Sequence, residues 1–281
     1  MNASMPLRSE RTANHKFLIA LARAFGGAIL FSLPMLMTME MWWLGFYADR
    51  LKLALFIVAM IPLLIGLSHF AGFEPTFDWI DDTVDAFVAL AVGLASGALI
   101  LMLFDEIGPE MSWDEIIGKI AIQAVPGSIG AMLAEGQLGA RDAHAEDELQ
   151  HAGYWGEVFF MAVGALFLSL NLAPTEEMVL IAYKMNVWHA LALVALSLTI
   201  MHAFVYAVDF RGQAEVTPET PFWSVFLRFT VAGYATALVI SLYVLWIFGR
   251  TDSTGWEHIV MAAIVLAFPG AIGGASARLV I

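Results

Sequence analysis

The most prominent pattern in the chain is a series of long apolar runs separated by short polar segments. A helix that crosses a bilayer needs roughly 20 mostly apolar residues, and eight runs reach that length. The first run is longer than the hydrocarbon requires, so we expect it to tilt, to kink at Pro34 or to project. The fourth is the least apolar, because it contains Lys119, Gln123 and Pro126. The predicted spans are Phe17–Gly45, Leu51–Phe73, Val84–Phe104, Ile116–Ala134, Gly153–Leu172, Val187–Val208, Val225–Phe248 and Ile259–Ile281.

Composition narrows the function classes. Of the 281 residues, 60% are hydrophobic and 14% are charged, which excludes a soluble globular domain and a coiled coil. The net charge of −13 excludes a nucleic-acid binder. The apolar spans predict the lipid bilayer as the main partner. There is no cysteine, so disulfides and Cys-ligated metal sites are excluded. The sequence contains none of the common nucleotide-binding, metalloprotease or hydrolase motifs, and it therefore predicts no enzyme and no cofactor.

The orientation follows from the basic residues. The segment before the first span is polar and basic, and Lys and Arg are more frequent on the side that it shares with the even-numbered loops. An even number of spans places both termini on one side. We therefore predict a multi-pass protein of the bacterial inner membrane with both termini in the cytoplasm, and with Trp42, Trp43 and Trp113 at the outer interface.

Several segments recur at a fixed spacing without a gap. The first two return 137 positions later and the second two 143 positions later, and a six-residue insertion in the polar loop Arg211–Thr220 would explain the difference. Chance similarity between apolar helices is the alternative. The matched segments are Gly27–Leu33 with Gly164–Leu170, Thr38–Met41 with Thr175–Met178, Trp113–Ile116 with Trp256–Ile259, and Pro126–Gly130 with Pro269–Gly273.

The repeat predicts an all-α membrane fold of four plus four helices. Because each unit has an even number of spans, the two units run the same way through the membrane and are expected to superpose by a rotation of about 180° around an axis near the membrane normal. The chain then divides into a cytoplasmic segment 1–16, a first repeat 17–134, an acidic cytoplasmic linker 135–152 and a second repeat 153–281.

Two matched pairs are the candidate lining of an ion path between the repeats. Pro126-Gly127 and Pro269-Gly270 fall near the middle of their spans, where an interrupted helix survives only against protein or a water-filled cavity. Close helix packing is the structural alternative. Glu40 and Glu177 are the second pair, and such carboxylates bind a cation, relay a proton or simply reach water at the outer interface.

Acidic segments flank the spans and suggest cations as the transported species. Negative vestibules concentrate cations, although a charge cluster is usually a solvated surface. The linker contains His144, Glu148 and His151, which share one face if the segment is helical and form a weak candidate metal site. The clusters are Asp105, Glu106, Glu110, Asp114 and Glu115 outside, and Glu74, Asp78, Asp81 and Asp82 inside.

The opening span resembles a family of bacterial polytopic proteins labelled putative integral membrane protein. The resemblance lies in the segment from Arg23-Ala24-Phe25-Gly26-Gly27-Ala28 to the Pro34–Trp42 stretch. It implies an all-helical membrane fold and no activity.

The repeat, the Pro-Gly pairs and the acidic segments together predict a cation or proton transporter or channel. The alternative is a non-transporting sensor or scaffold that docks a partner through Glu135–Gly153.

Overall fold

In the computed structural model, every described residue that belongs to a regular element is helical. The structure describes residues 6–71, 79–138, 153–207 and 222–280. A π-helical turn, Phe226–Val231, connects two of the helices. The α-helices are α1 (Pro6–Leu36), α2 (Met39–Tyr47), α3 (Arg50–Ala71), α4 (Trp79–Leu103), α5 (Trp113–Leu138), α6 (Gly153–Leu172), α7 (Glu176–Lys184), α8 (Val187–Ala207), α9 (Phe222–Val225), α10 (Ala232–Ile247) and α11 (Trp256–Val280).

Eight helical segments are long and apolar enough to cross a membrane, which agrees with the predicted number. The fifth predicted span has the same bounds as α6. The first prediction needs correction, because α1 ends at Leu36, two residues after Pro34, and Met39–Tyr47 forms a separate short helix. The residues of α1 from Leu18 onward are sufficient to span the hydrocarbon, since 19 residues rise about 28 Å.

The start of α4 also differs from the prediction. The helix begins at Trp79 rather than at Val84, so Asp81 and Asp82 belong to its first turn and not to a loop. Negative side chains are favoured there because the N-terminus of a helix carries partial positive charge. The carboxylate of Asp82 is buried, so the predicted picture of a fully solvated acidic loop is wrong at this residue.

Two helices organise the packing. α5 contacts α1, α2, α3 and α4, whereas α11 contacts α6, α7, α8 and α10. α5 is the most enclosed span, with 83% of its membrane window buried. The largest apolar core cluster contains residues from both groups of helices. Aromatic contacts between the groups include Phe31 with Phe167, at a centroid distance of 5.1 Å, and Phe56 with Phe248, at 6.0 Å.

Exposed tryptophans mark both ends of the helices. Three spans that run in one direction begin at or near Trp79, Trp155 and Trp223. Two spans that run in the opposite direction begin at Trp113 and Trp256. Indole rings are enriched at membrane–water interfaces. We call the two ends of the molecule the Trp79 side and the Trp113 side.

Candidate functional site

The prolines of the matched Pro-Gly pairs lie within uninterrupted helices. α5 runs through Pro126 and α11 runs through Pro269 without a break, so the expected interruption of these spans is not present. A Cβ atom on Gly127 would lie 3.1 Å from the Cα atom of Gly93 in α4, and one on Gly270 would lie 3.0 Å from the Oγ atom of Ser169 in α6. Close helix packing accounts for both glycines.

The two predicted glutamates lie in the short helices on the Trp113 side. Glu40 is half-buried in the first turn of α2, and Glu177 is exposed in the first turn of α7. Their helices pack against α5 and α11, respectively. Each carboxylate therefore occupies a comparable place in its own group of helices, at the end of the span rather than at its centre.

An ion cluster, which was not predicted, surrounds the buried Lys119 of α5, and its two carboxylates are partly exposed. The ammonium nitrogen of Lys119 is 2.9 Å from the carbonyl oxygen of Glu106, 3.4 Å from the Oε2 atom of Glu106 and 3.7 Å from the Oε1 atom of Glu115. Lys119 is only 7% exposed. It lies six residues beyond Trp113, which corresponds to about 9 Å along the helix. We call Glu106, Glu115 and Lys119 the Lys119 cluster.

Local backbone geometry brings Glu106 to the lysine. α4 ends in a turn in which Asp105 adopts a left-handed conformation, with φ of 60°, and the N–H of Glu106 donates to the carbonyl of Leu101 at 2.9 Å. Asp tolerates this region better than most residues do. Glu115 lies one helical turn before Lys119, in the favourable order for an ion pair. Gly45 lets α2 approach the backbone of α5 at Lys119, where a Cβ atom would clash.

Gln123 continues this polar face one turn deeper. Its Nε2 atom donates to the carbonyl oxygen of Met35 at 3.3 Å, and its Oε1 atom has no hydrogen-bond partner in the part of the chain that the structure describes. Gln123 is 1% exposed. Ser128 is also buried, but its hydroxyl donates to the carbonyl of Ala124 in its own helix at 2.5 Å.

Further buried charges lie on the Trp79 side. The Oδ2 atom of Asp82 is 3.5 Å from the Nδ1 atom of His69, and the hydroxyl of Ser68 donates to Asp85 at 3.3 Å. Glu157, near the start of α6, is buried as well. The sequence analysis included Asp82 in the inner acidic cluster but predicted the burial of neither Asp82 nor Glu157, because charged side chains are ordinary at helix ends.

Ion pairs on the Trp113 side have structural roles. Arg50 donates to Asp114 at 2.6 Å and to the carbonyl oxygens of Gly45 and Phe46, which satisfies the end of α2. Lys52 contacts both carboxylate oxygens of Asp252 at 2.7 Å and thereby connects α3 to the loop before α11. Both pairs reach solvent and are expected to contribute little to stability.

The predicted metal site cannot be located, since His144, Glu148 and His151 lie outside the described residues. Among the residues that the structure does describe, no group of three or more His, Asp or Glu side chains is arranged to hold a metal ion.

The Lys119 cluster could have been suspected from the sequence, because Glu115 and Lys119 are four residues apart in the least apolar span.

Comparison with known proteins gives a family but no activity. No curated protein and no solved structure matches the chain. One family model, described as putative integral membrane protein (DUF2391), matches residues 20–281. This match covers seven spans completely and the first span from its third residue onward, and it agrees with the family that the opening span resembles. The chain is therefore a multi-pass integral membrane protein and belongs to this family.

Proposed function

We propose that the protein transports a cation or a proton across the membrane, and that the Lys119 cluster is part of its path. The observation that carries the proposal is a lysine buried inside a membrane-spanning helix beside two carboxylates. Ionisable residues within spans are costly, and they typically line ion pathways or proton relays. A purely structural role would be served more cheaply by apolar residues of similar volume.

The charges of the cluster favour a cationic substrate. Two carboxylates share one ammonium group, so the cluster carries one net negative charge when all three groups are ionised. A substrate cation can replace the ammonium group beside Glu106 and Glu115, and the ammonium group can return when the substrate leaves. Such an exchange keeps the two carboxylates paired at all times, which avoids the cost of an isolated carboxylate in the membrane.

The helix boundaries support a tandem repeat as the framework of this transporter. α2 and α7 both have nine residues, and their first residues are 137 positions apart, as are those of α3 and α8. α5 and α11 begin 143 positions apart. These are the two shifts found in the sequence.

Close glycine contacts support the same pairing of helices. A Cβ atom on Gly27 of α1 would overlap with Gly130 and Ala134 of α5. A Cβ atom on Gly164 of α6 would overlap with Gly273 and Ala277 of α11. The partners of Gly164 stand 143 positions after those of Gly27, so the same contact occurs in both groups.

The π-helical turn explains why one pair of corresponding spans does not keep a single shift along its whole length. The span that begins at Phe222 starts 143 positions after Trp79, but its last residue, Ile247, comes 144 positions after Leu103. A π-helical turn accommodates one extra residue within an α-helix, and Phe226–Val231 is such a turn. Beyond this turn, Ala237 packs on Gly270 as Gly93 packs on Gly127, which fits a shift of 144 for α10.

The orientation and the predicted glutamates complete the proposal. We place the Trp113 side outside the cytoplasm and both termini inside, in the bacterial inner membrane, because the basic residues Arg8, Arg11 and Lys16 precede the membrane-spanning part of α1, which begins at Leu18. Glu40 and Glu177 then stand at the outer mouth, where they attract cations. Reporter fusions at position 145 and at the C-terminus should both indicate the cytoplasm, and an external signal from either one would reject this orientation.

The transport proposal is tested with purified protein in liposomes. We expect an inward gradient of sodium, potassium or protons to drive flux that empty liposomes lack. Glu106→Gln combined with Glu115→Gln should lower this flux about tenfold or more, because the charge that compensates for lost hydration is removed. Since that variant leaves Lys119 buried and unpaired, Lys119→Met is added in a second variant, which is neutral throughout and should fold.

The matched control is Asp114→Asn, which breaks an exposed ion pair on the same side of the molecule. Its flux should equal that of the unmodified protein. Absence of flux for every tested ion, or full flux in the folded neutral variant, would contradict the proposal.

A further inference from the structure

Only one of the two polar atoms of the Gln123 amide has a hydrogen-bond partner, although the side chain is fully buried. Its nitrogen donates to Met35, whereas its oxygen has no partner in the described part of the chain. An unpaired buried acceptor is unfavourable, because it has lost its hydrogen bonds to water and gained none in the protein. Gln123 lies ten residues beyond Trp113, about 15 Å along the helix, which is half of a hydrocarbon layer of roughly 30 Å. At this depth, bulk water does not reach the oxygen.

We infer that the Oε1 atom of Gln123 is a ligand for a dehydrated monovalent alkali cation, bound half way through the membrane within the first group of helices. The inference rests on the proposed transport function, and it names the substrate class and the residue that binds it. The amide nitrogen is held by the carbonyl of Met35, whereas the oxygen is buried and has no hydrogen-bond donor among the described residues, as a ligand atom for a cation requires.

A second oxygen close to Gln123 lacks its usual helical donor. Pro126 has no N–H, so the carbonyl of Ile122, four residues earlier, cannot accept the normal α-helical hydrogen bond. Ile122 directly precedes Gln123. Backbone and amide oxygens of this kind replace the hydration shell of alkali cations in selective pores. The continuous helix through Pro126 thus contains a carbonyl without its usual helical donor, and the span is not interrupted.

The available groups favour a monovalent cation over other ligands. Gln123 and a backbone carbonyl are neutral and do not titrate, so this position does not store a proton. Divalent cations are usually bound with the help of carboxylates, and Glu115, the nearest carboxylate before Gln123 on α5, lies two helical turns away. An anion would meet only oxygen lone pairs. The Lys119 cluster lies between Gln123 and the Trp113 side, and its net negative charge attracts cations toward this part of α5.

Thermal unfolding of the purified full chain in detergent tests the binding site without a flux measurement. Sodium chloride and potassium chloride are compared with N-methyl-D-glucamine chloride at equal ionic strength. We expect at least one alkali cation to raise the Tm by several degrees, because a ligand that binds only the folded state stabilises it. Gln123→Leu should abolish this cation-dependent rise. Its own Tm without alkali cation should be unchanged or higher, because the unpaired oxygen is gone.

Ser128→Ala is the matched control, since the hydroxyl of Ser128 bonds within its own helix. This variant should keep the full cation-dependent rise. The inference is overturned if the Gln123→Leu protein shows the same rise as the unmodified protein. It is also overturned if the unmodified protein has the same Tm in all three salts, as expected if the oxygen holds only a water molecule.

Flux measurements separate this inference from the proposed function. If Gln123→Leu retains flux while the neutral variant of the Lys119 cluster loses it, the site at Gln123 is rejected and transport stands. If the unmodified protein shows a cation-dependent Tm but no flux, the site stands and the transport proposal fails.

Discussion

α5 and α11 hold corresponding places in their groups of helices but differ in chemistry. Each is the central helix of its group, begins at an exposed tryptophan and contains a Pro-Gly pair whose glycine is buried. Within the proposed pairing, Lys119 and Gln123 of α5 correspond to Ala262 and Leu266 of α11. One central helix is therefore polar where the other is apolar.

This difference separates what the fold requires from what a function would require. α11 packs well with alanine and leucine at both positions, so the architecture does not need a lysine or a glutamine there. Charged and amide groups in the membrane are costly. Their presence in only one of the two helices points to a role in the first group, rather than to a symmetrical path between the groups.

The largest effect on folding is expected from the glycines that both groups share. Gly27→Ala and Gly164→Ala should each destabilise the protein by about 1–3 kcal/mol, because the added methyl group overlaps with α5 or α11. Thermal unfolding measures the effect. Gly26→Ala is the control, since no atom lies near its added Cβ atom. A loss in only one of the two variants would break the proposed correspondence between the groups.

The sequence predicted the spans well because hydrophobic length is a local property. Gly153–Leu172 agrees to the residue, and α8 agrees to within one residue. The predicted start of α4 lay too far along the chain, because the acidic first turn of this helix has the composition of a loop. The separation of α2 from α1 depends on the turn at Met37 and Thr38, where no apolar-to-polar change marks the boundary.

The candidate site was harder to predict, because it depends on which side chains meet. Pro126 drew attention as a helix breaker, yet the neighbouring helices accommodate it within α5. Lys119 and Gln123 stood out only as exceptions in an apolar run. Their partners come from a turn after α4 and from the end of α1, which no local pattern in the sequence connects.

A smaller effect on flux is expected from the glutamates at the proposed mouth. Glu40→Gln with Glu177→Gln should lower cation flux several-fold at low ionic strength and less at high ionic strength, because salt screens exposed charges. The Tm should change little. Liposome flux at two salt concentrations measures the effect, and unchanged flux at both would remove these residues from the path.

The smallest effect is expected at the ion pair that connects the two groups. Asp252→Asn removes the partner of Lys52, and the free energy of unfolding should fall by no more than about 1 kcal/mol, since Asp252 is exposed. The loss should vanish at high salt. A much larger loss of stability would mean that this contact, rather than the shared apolar core, holds the two groups together.

The most direct test of the central claim gives α5 the residues of α11. Lys119→Ala with Gln123→Leu should leave a folded, monodisperse protein whose Tm is lowered because Glu106 and Glu115 lose their ammonium partner, whereas cation flux in liposomes should fall about tenfold or more. Leu266→Met, at the corresponding place in α11, conserves volume and should leave flux unchanged. Full flux in the folded double variant would contradict the account, because the polar residues of the first central helix would then have no part in transport.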